Sequence, residues 1–272
     1  MRVAKWQIWS RLAPGKITHD WVNGSKFMAK KGDAGLTGNI YTGLHEFYDM
    51  GFLLHFLRID DLFIDVGANL GSYTILACSA VGSRGIAFEP APRTYKRLAE
   101  NIHLNHLGER VRCINQGVGA QQGTITFTTD NDTTNHVLAS GERCNGQATI
   151  KVTTLDKALD RENPSLIKID VEGYETQVLR GAQKTLETKS LNAVIIELNG
   201  AGQRYGFDES KIPDMMLSLG FKAYSYNPFD RELVSLERRK AHTDNVLFIR
   251  NKQFVDQRLK SAPRVKINGR EF

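Results

Sequence analysis

The 272-residue chain reads as an α/β protein: a Rossmann-like, doubly wound, mostly parallel sheet with helices on both faces and an antiparallel edge hairpin. Three observations predict it. Short apolar runs alternate with segments of helical periodicity along most of the chain. Most of those runs are apolar at every position, as strands covered on both faces must be. Each run is followed by enough chain for a right-handed crossover back onto the sheet.

The elements follow in order. Glu46 to Leu57 places apolar residues at 47, 50, 53, 54 and 57, a helical spacing. Leu62-Phe63-Ile64 is a short buried strand, and Ser72 to Val81 a helix. Gly85 to Phe88 is a second strand. Arg93 to Asn105 is a helix with Tyr95, Leu98 and Ile102 on one side, and Val111 to Ile114 a third strand. Thr124 to Thr128 and Thr149 to Val152 alternate as edge or hairpin strands do. Leu166 to Ile169 and Ala193 to Glu197 are buried strands, separated by a helix from Glu175 to Leu186. Phe221 to Tyr226 and Val246 to Arg250 pair antiparallel at the end of the sheet. Residues 41–250 therefore form the domain. Residues 1–40, rich in glycine and lysine, read as a loose arm or lid, and 251–272 as a basic tail.

Composition narrows the functional classes. An apolar fraction of 41% permits a substantial core. No run approaches 18 apolar residues, so no transmembrane segment is expected, and the interrupted start MRVAKWQIWSRLAPGK lacks a secretory apolar stretch. A cytoplasmic location is expected. Cys78, Cys113 and Cys144 are widely spaced and odd in number, which fits ordinary thiols better than disulfides or zinc. The net charge of +6, with Arg238, Arg239 and Lys240 consecutive, favours acidic partners, but no nucleic-acid-binding motif accompanies it.

Ligands of such sheets bind at the carboxyl ends of the strands. After the first strand the chain reads Asp65, Gly67, Asn69, Gly71. Set against the dinucleotide fingerprint G-x-G-x-x-G, Asn69 and Ser72 stand where two glycines are needed for close pyrophosphate approach. A Walker loop fails as well, since no Gly-Lys-Ser/Thr follows. An acid inside the loop repels a pyrophosphate and suits a cationic ligand with amine and hydroxyl donors, such as S-adenosylmethionine. Glu89 ends the second strand, 24 residues after Asp65, where an acid accepts ribose hydroxyls.

Four stretches then carry a resemblance: FIDVGANLGSYT (63–74), VTTLDKAL (152–159), LIKIDVEGYETQVLRGA (166–182) and IIELNG (195–200). Together they resemble the FkbM-type family of class I S-adenosylmethionine-dependent methyltransferases, over residues 40–250. The resemblance implies methyl transfer to a hydroxyl of a sugar, glycan or other natural product. It also implies Asp65, Gly67, Asn69, Gly71 and Tyr73 around the methionine and ribose, Glu89 on the ribose, Gln116, Gly117 and Val118 near the adenine, and Asp170 beside the cofactor.

Methyl transfer to oxygen needs in-line placement and removal of a proton from a weakly acidic hydroxyl. Two clusters qualify. Asp170, Glu172 and Glu197 follow neighbouring strands, so their carboxylates can converge. They are candidates for general base, acceptor contact or divalent-metal ligand, the metal being left undetermined. Their structural alternative is helix capping, with Glu175 in the first turn. His136, in the polar segment 130–136, is the second candidate base. Asn199, Tyr226, Asp230 and Arg231 are candidate sugar contacts, against the simpler reading of an Asn-Pro surface turn. His45, His55, His103 and His106, near helix ends, read as surface or satisfied core residues.

The leading expectation is an O-methyltransferase acting on a sugar or glycan. A nucleic-acid methyltransferase is the alternative the basic charge raises. It lacks any Asn/Asp-Pro-Pro-Tyr/Phe motif, DVEG standing after the Leu166 strand instead. A non-catalytic module that keeps the fold would be expected to have a broken cofactor loop, which this chain does not.

Overall fold

A computed structural model describes residues 6–8, 10, 12, 15–130, 134–139, 141–236 and 244–272. Its centre is an eight-stranded sheet. Five strands run parallel: β3 (Leu62–Val66), β4 (Arg84–Phe88), β5 (Val111–Ile114), β9 (Leu166–Ile169) and β10 (Ala193–Glu197). The edge comprises β11 (Lys222–Asn227), β12 (Glu232–Ser235) and β13 (Asn245–Ile249). The spatial order is β12-β11-β13-β10-β9-β3-β4-β5. The chain leaves β3 toward β4 and β5 on one side and fills β9 and β10 on the other. The β3/β9 seam is therefore the switch point.

Alternation along each strand divides the core in two. Leu62, Ile64 and Val66 of β3 join Ile167, Ile169, Val194 and Ile196 against the helices Glu175–Arg180, Gln183–Glu187 and Ile212–Ser218. Phe63, Leu166, Ala193 and Ile195 face the opposite way, toward the helices Phe47–Phe56, Pro92–Leu104 and Lys252–Lys260. Both layers are apolar, which is why the strands read as unbroken apolar runs.

Three expectations change. The Thr124 and Thr149 strands do pair antiparallel, as β7 (Gly123–Thr128) and β8 (Gln147–Thr153). With β6 (Gly117–Val118) they make a separate three-stranded sheet ordered β6-β8-β7. The helix expected from Glu175 to Leu186 is two short helices broken at Gly181. A Cβ on Gly181 would stand 2.1 Å from the Gly119 carbonyl oxygen, so that close approach requires glycine and interrupts the helix. The helix at Ser72–Ile75 continues as a π-helical turn over Leu76–Val81.

The terminal segments differ most from expectation. The described part of the arm holds a hairpin, β1 (Ile17–Asp20) with β2 (Lys26–Ala29), and a helix, Ala34–Thr42. It is pinned to the helix Pro92–Leu104: the Arg97 guanidinium grips Asp33 through both carboxylate oxygens, at 3.0 and 2.7 Å, and Met28 N–H donates to Asn101 Oδ1. The tail folds as the helix Lys252–Lys260 and a hairpin, β14 (Lys266–Ile267) with β15 (Arg270–Glu271), which buries Phe272 against Phe47 and His55. No helix among the described residues is long and apolar enough to cross a membrane. Arg238, Arg239 and Lys240 lie outside the described residues.

Candidate functional site

The site is a cavity of about 280 Å³ over the β3/β9 seam. Asp65, next to last in β3, is buried and accepts a 2.6 Å hydrogen bond from Thr74 Oγ1. Burial, partly offset by Lys168 and Thr74, raises its pKa to about 6. Gly67 follows with φ +85°, and a Cβ there would stand 1.8 Å from the Asp170 carbonyl oxygen. Only glycine lets the loop after β3 lie against the end of β9. Gly67 N–H and Ala68 N–H both donate to the Phe88 carbonyl, tying the loop to β4.

Glu89 closes the loop from the other side. Its Oε2 accepts from Asn69 N–H at 3.0 Å and its Oε1 from Ala91 N–H at 2.9 Å. Each oxygen keeps a lone pair for a further donor. Burial raises the Glu89 pKa to about 7, against the pull of those two N–H groups. Gln116, Gly117 and Val118 line the same cavity beyond Glu89, and Asp65, Gly67, Asn69 and Tyr73 line it with them. Gly71 does not line it. It sits at φ +92° as the cap of the Ser72 helix.

At the opposite end three carboxylates converge. Asp170, Glu172 and Glu197 each present an oxygen within 4.8 Å of the other two, and all three line the cavity. The turn that brings Glu172 in is held by buried Glu175, whose Oε1 accepts from Val171 N–H at 3.1 Å and Gly173 N–H at 3.2 Å. Glu175 opens its helix, whose N-cap position is Tyr174, and its side chain holds the turn before the helix. Asp170 Oδ2 takes an ion pair from Lys168 Nζ at 2.6 Å. Burial and then the Asp170 and Glu172 carboxylates push the Glu197 pKa well above the usual carboxylate range. The Glu172 pKa moves up by the same two causes, burial and Asp170. Asn199 Nδ2 donates to Glu197 Oε2 at 2.9 Å, so Asn199 holds Glu197 and does not itself line the cavity.

Among the cavity residues the sequence did not point to are Glu46, Lys168 and His45, the last expected as a surface or core residue. Lys168 left a signal, a lysine inside the fully buried strand Leu-Ile-Lys-Ile. It is the cross-strand neighbour of Asp65, on the same face of the sheet. Burial alone would lower its pKa, but Asp170, Glu46 and Asp65 outweigh it and keep the ammonium charged. Glu46 and His45 come from before the Phe47–Phe56 helix, and no spacing links them to the loop after β3.

Other expected residues are elsewhere. His136 does not line the cavity, although Asn135 and Val137 beside it do. Its ring is buried, with Nδ1 at 2.8 Å from the Thr134 carbonyl and Nε2 at 2.8 Å from Glu142 Oε1. With both nitrogens engaged it is a loop anchor, not a free proton acceptor. Residues 131–133 of that segment lie outside the described residues. Tyr226, Asp230 and Arg231 are also absent from the cavity. The Tyr226 hydroxyl meets His55 Nδ1 at 2.6 Å in the core, and Asp230 accepts from Asn227. Arg231 donates to the carbonyls of Lys260 and Ala262 at the end of the Lys252–Lys260 helix. This turn is structural because β11 lies near the sheet edge.

Comparison with known proteins follows the same lines. The model of the methyltransferase FkbM domain matches residues 65–223, more than half of the chain. Among curated proteins, the hexuronic acid methyltransferase AglP of Haloferax volcanii is 32% identical over 153 residues, 54% of this chain and 59% of that protein. Methyltransferase 1 of Beauveria bassiana is 27% identical over 146 residues, 45% of this chain and 58% of that protein. The chain thus matches less than two thirds of the length of these relatives. Among solved structures, a TehB-like SAM-dependent methyltransferase from Corynebacterium glutamicum aligns with TM-score 0.44 at 11% identity, covering 80% of this chain and 96% of that one. From the loop at Asp65 through the sheet edge at β11, the chain belongs to the FkbM methyltransferase domain family.

Proposed function

We propose that this protein is an S-adenosylmethionine-dependent O-methyltransferase acting on a hydroxyl of a sugar or glycan. The carrying observation is the single cavity that joins the Asp65–Glu89 cofactor loop to the Asp170, Glu172 and Glu197 carboxylates. The hexuronic acid methyltransferase relative supports a sugar acceptor.

The loop after β3, with Glu89, would hold S-adenosylmethionine, which when bound would supply an electrophilic methyl on a sulfonium. In that reading Glu89 accepts from the ribose hydroxyls. Gln116 to Val118 wall the adenine, and the acidic interior of the cavity suits the cofactor's positive charge. The triad receives the acceptor. With the cofactor bound, the carboxylate set would hold the acceptor hydroxyl toward it and take up the hydroxyl proton. Asp170, paired with Lys168, and Glu197, hydrogen-bonded to it, act as one coupled acid–base unit. The triad offers hard oxygens a divalent cation can use, but Lys168 already neutralises one of them.

The test is transfer of one methyl mass from S-adenosylmethionine to uronate-containing and neutral glycans, with and without EDTA. Asp170→Asn is expected to lower turnover by roughly 10²–10⁴-fold while cofactor affinity stays nearly constant. Unchanged turnover removes Asp170 from the mechanism, and tight NAD binding in place of S-adenosylmethionine sinks the assignment. Loss of activity in EDTA, restored by a divalent ion, assigns the triad to a metal.

A further inference from the structure

A second groove adjoins the carboxylate triad. After β10 the chain turns at Gly200 and forms a short 3₁₀ helix, Ala201–Tyr205. Two contacts tie this helix to the triad. Asn199 Oδ1 accepts from Ala201 N–H at 2.9 Å, while its Nδ2 holds Glu197. Gly173, in the turn that carries Glu172, packs so closely on the helix that a Cβ there would stand 2.5 Å from the Ala201 carbonyl carbon. At the helix's other end the Tyr205 hydroxyl donates to the carbonyl of Val137, a cavity residue, at 2.7 Å.

Phe207 completes an aromatic cluster with two tyrosines. Its ring centre lies 6.4 Å from that of Tyr174 and 5.9 Å from that of Tyr205, and the two tyrosines meet edge to face at 5.4 Å. Tyr174 lines the cavity. Phe207 lines a separate open groove of about 640 Å³, together with Gln203, Asp208, Ser210 and Pro213. The cluster therefore links the two. Glu209 fixes the shape of the groove: its Oε2 accepts from Gly200 N–H at 2.8 Å and its Oε1 from Gly202 N–H. Gln203, Asp208 and Ser210 are exposed, and Phe207 is half-buried.

Size and lining say what the groove takes. The cavity, at about 280 Å³, lies at the lower edge of the roughly 300–1,000 Å³ that small-molecule pockets occupy. A bound cofactor leaves room at the triad for the reacting end of an acceptor, so the rest of the acceptor lies outside the cavity. The groove sets an aromatic ring beside amide, hydroxyl and carboxylate side chains. A pyranose presents the matching surface, C–H groups on its face and hydroxyls around its rim. We infer that this groove is the subsite for the second sugar ring of the acceptor, Phe207 meeting its C–H face and Gln203 its hydroxyls. The protein then acts on an oligosaccharide in preference to a free monosaccharide. This rests on the sugar-acceptor reading above.

The test measures kcat and KM on size ladders of one, two and four residues, cut from each uronate-containing and neutral glycan of the methyl-transfer assay above. For the wild type, kcat/KM is expected to rise about tenfold from one residue to two. Phe207→Ala should remove that rise by raising KM for the two- and four-residue acceptors about tenfold, with kcat held within about twofold. Gln203→Ala should raise the same KM about threefold. Equal kcat/KM along the wild-type ladder overturns the subsite and leaves the methyltransferase reading standing. A Phe207→Ala loss that falls on kcat at every length also overturns it, because the ring then only supports the triad. Should Phe207→Ala fail to fold, Phe207→Leu decides by the same comparison, since it keeps apolar bulk and lacks the ring face. Transfer to no glycan of the assay overturns the sugar reading, and the subsite with it.

Discussion

The loop after β3 and the turn after β11 look alike in sequence and lie at the same end of the sheet. β3 pairs parallel with its neighbours and β11 antiparallel with its own, yet each is followed by a segment that mixes acids, Asn and residues with positive φ, Asn69 in one and Arg231 in the other. One lines the cavity and the other does not. The difference is position. β3 lies at the switch point, where crossovers depart in opposite directions and leave a crevice. β11 is one strand from the edge, and its turn packs against the Phe47–Phe56 helix and the tail, with Phe47 and Phe229 rings 5.1 Å apart. Strand-end chemistry becomes a site only where the topology leaves room above it.

That contrast can be broken by substitution. The greatest effect after Asp170→Asn is expected at Glu89→Ala, which removes the proposed ribose acceptor and strands the Asn69 and Ala91 N–H groups. Cofactor affinity should fall by about a hundredfold, and an unchanged dissociation constant would detach Glu89 from the cofactor. Tyr226→Phe should do the reverse. It should leave affinity and turnover alone while costing roughly 1–3 kcal/mol of stability, because His55 Nδ1 loses its partner. A large rise in KM for the acceptor would restore the β11 turn to the site.

His136→Ala is expected to leave the shape of the pH–rate profile intact, since both ring nitrogens are engaged away from the cavity. Loss of a limb near neutral pH would reinstate it as a base. The smallest effect is on stability against pH. The folded protein holds the Glu197 proton to a higher pH than the unfolded chain does, so unfolding releases that proton. Stability from this group is full below the ordinary glutamate pKa and declines as pH rises toward the raised one. Melting temperatures of Glu197→Gln should therefore fall less steeply with rising pH than those of the wild type, and parallel curves would show that Glu197 is not perturbed.

By itself the sequence determined the strands, the alternation that makes the sheet parallel, and the glycine-bearing loop after β3 with Glu89 beside it. These depend on near-neighbour patterns: an apolar run, a glycine that must sit at φ +85°, an acid ending the next strand. The convergence of Asp170 with Glu197 was also legible, because adjacent parallel strands bring their ends together. Only the tertiary structure decided the rest. Glu46 reaches the cavity through a helix packed across the sheet and an asparagine 199 positions away. His136 is held by Thr134 and Glu142 of its own loop, and Arg231 by the carbonyls of Lys260 and Ala262. A polar side chain's role depends on what saturates its hydrogen bonds, and for Glu46 and Arg231 the saturating groups come from elements that only folding brings near.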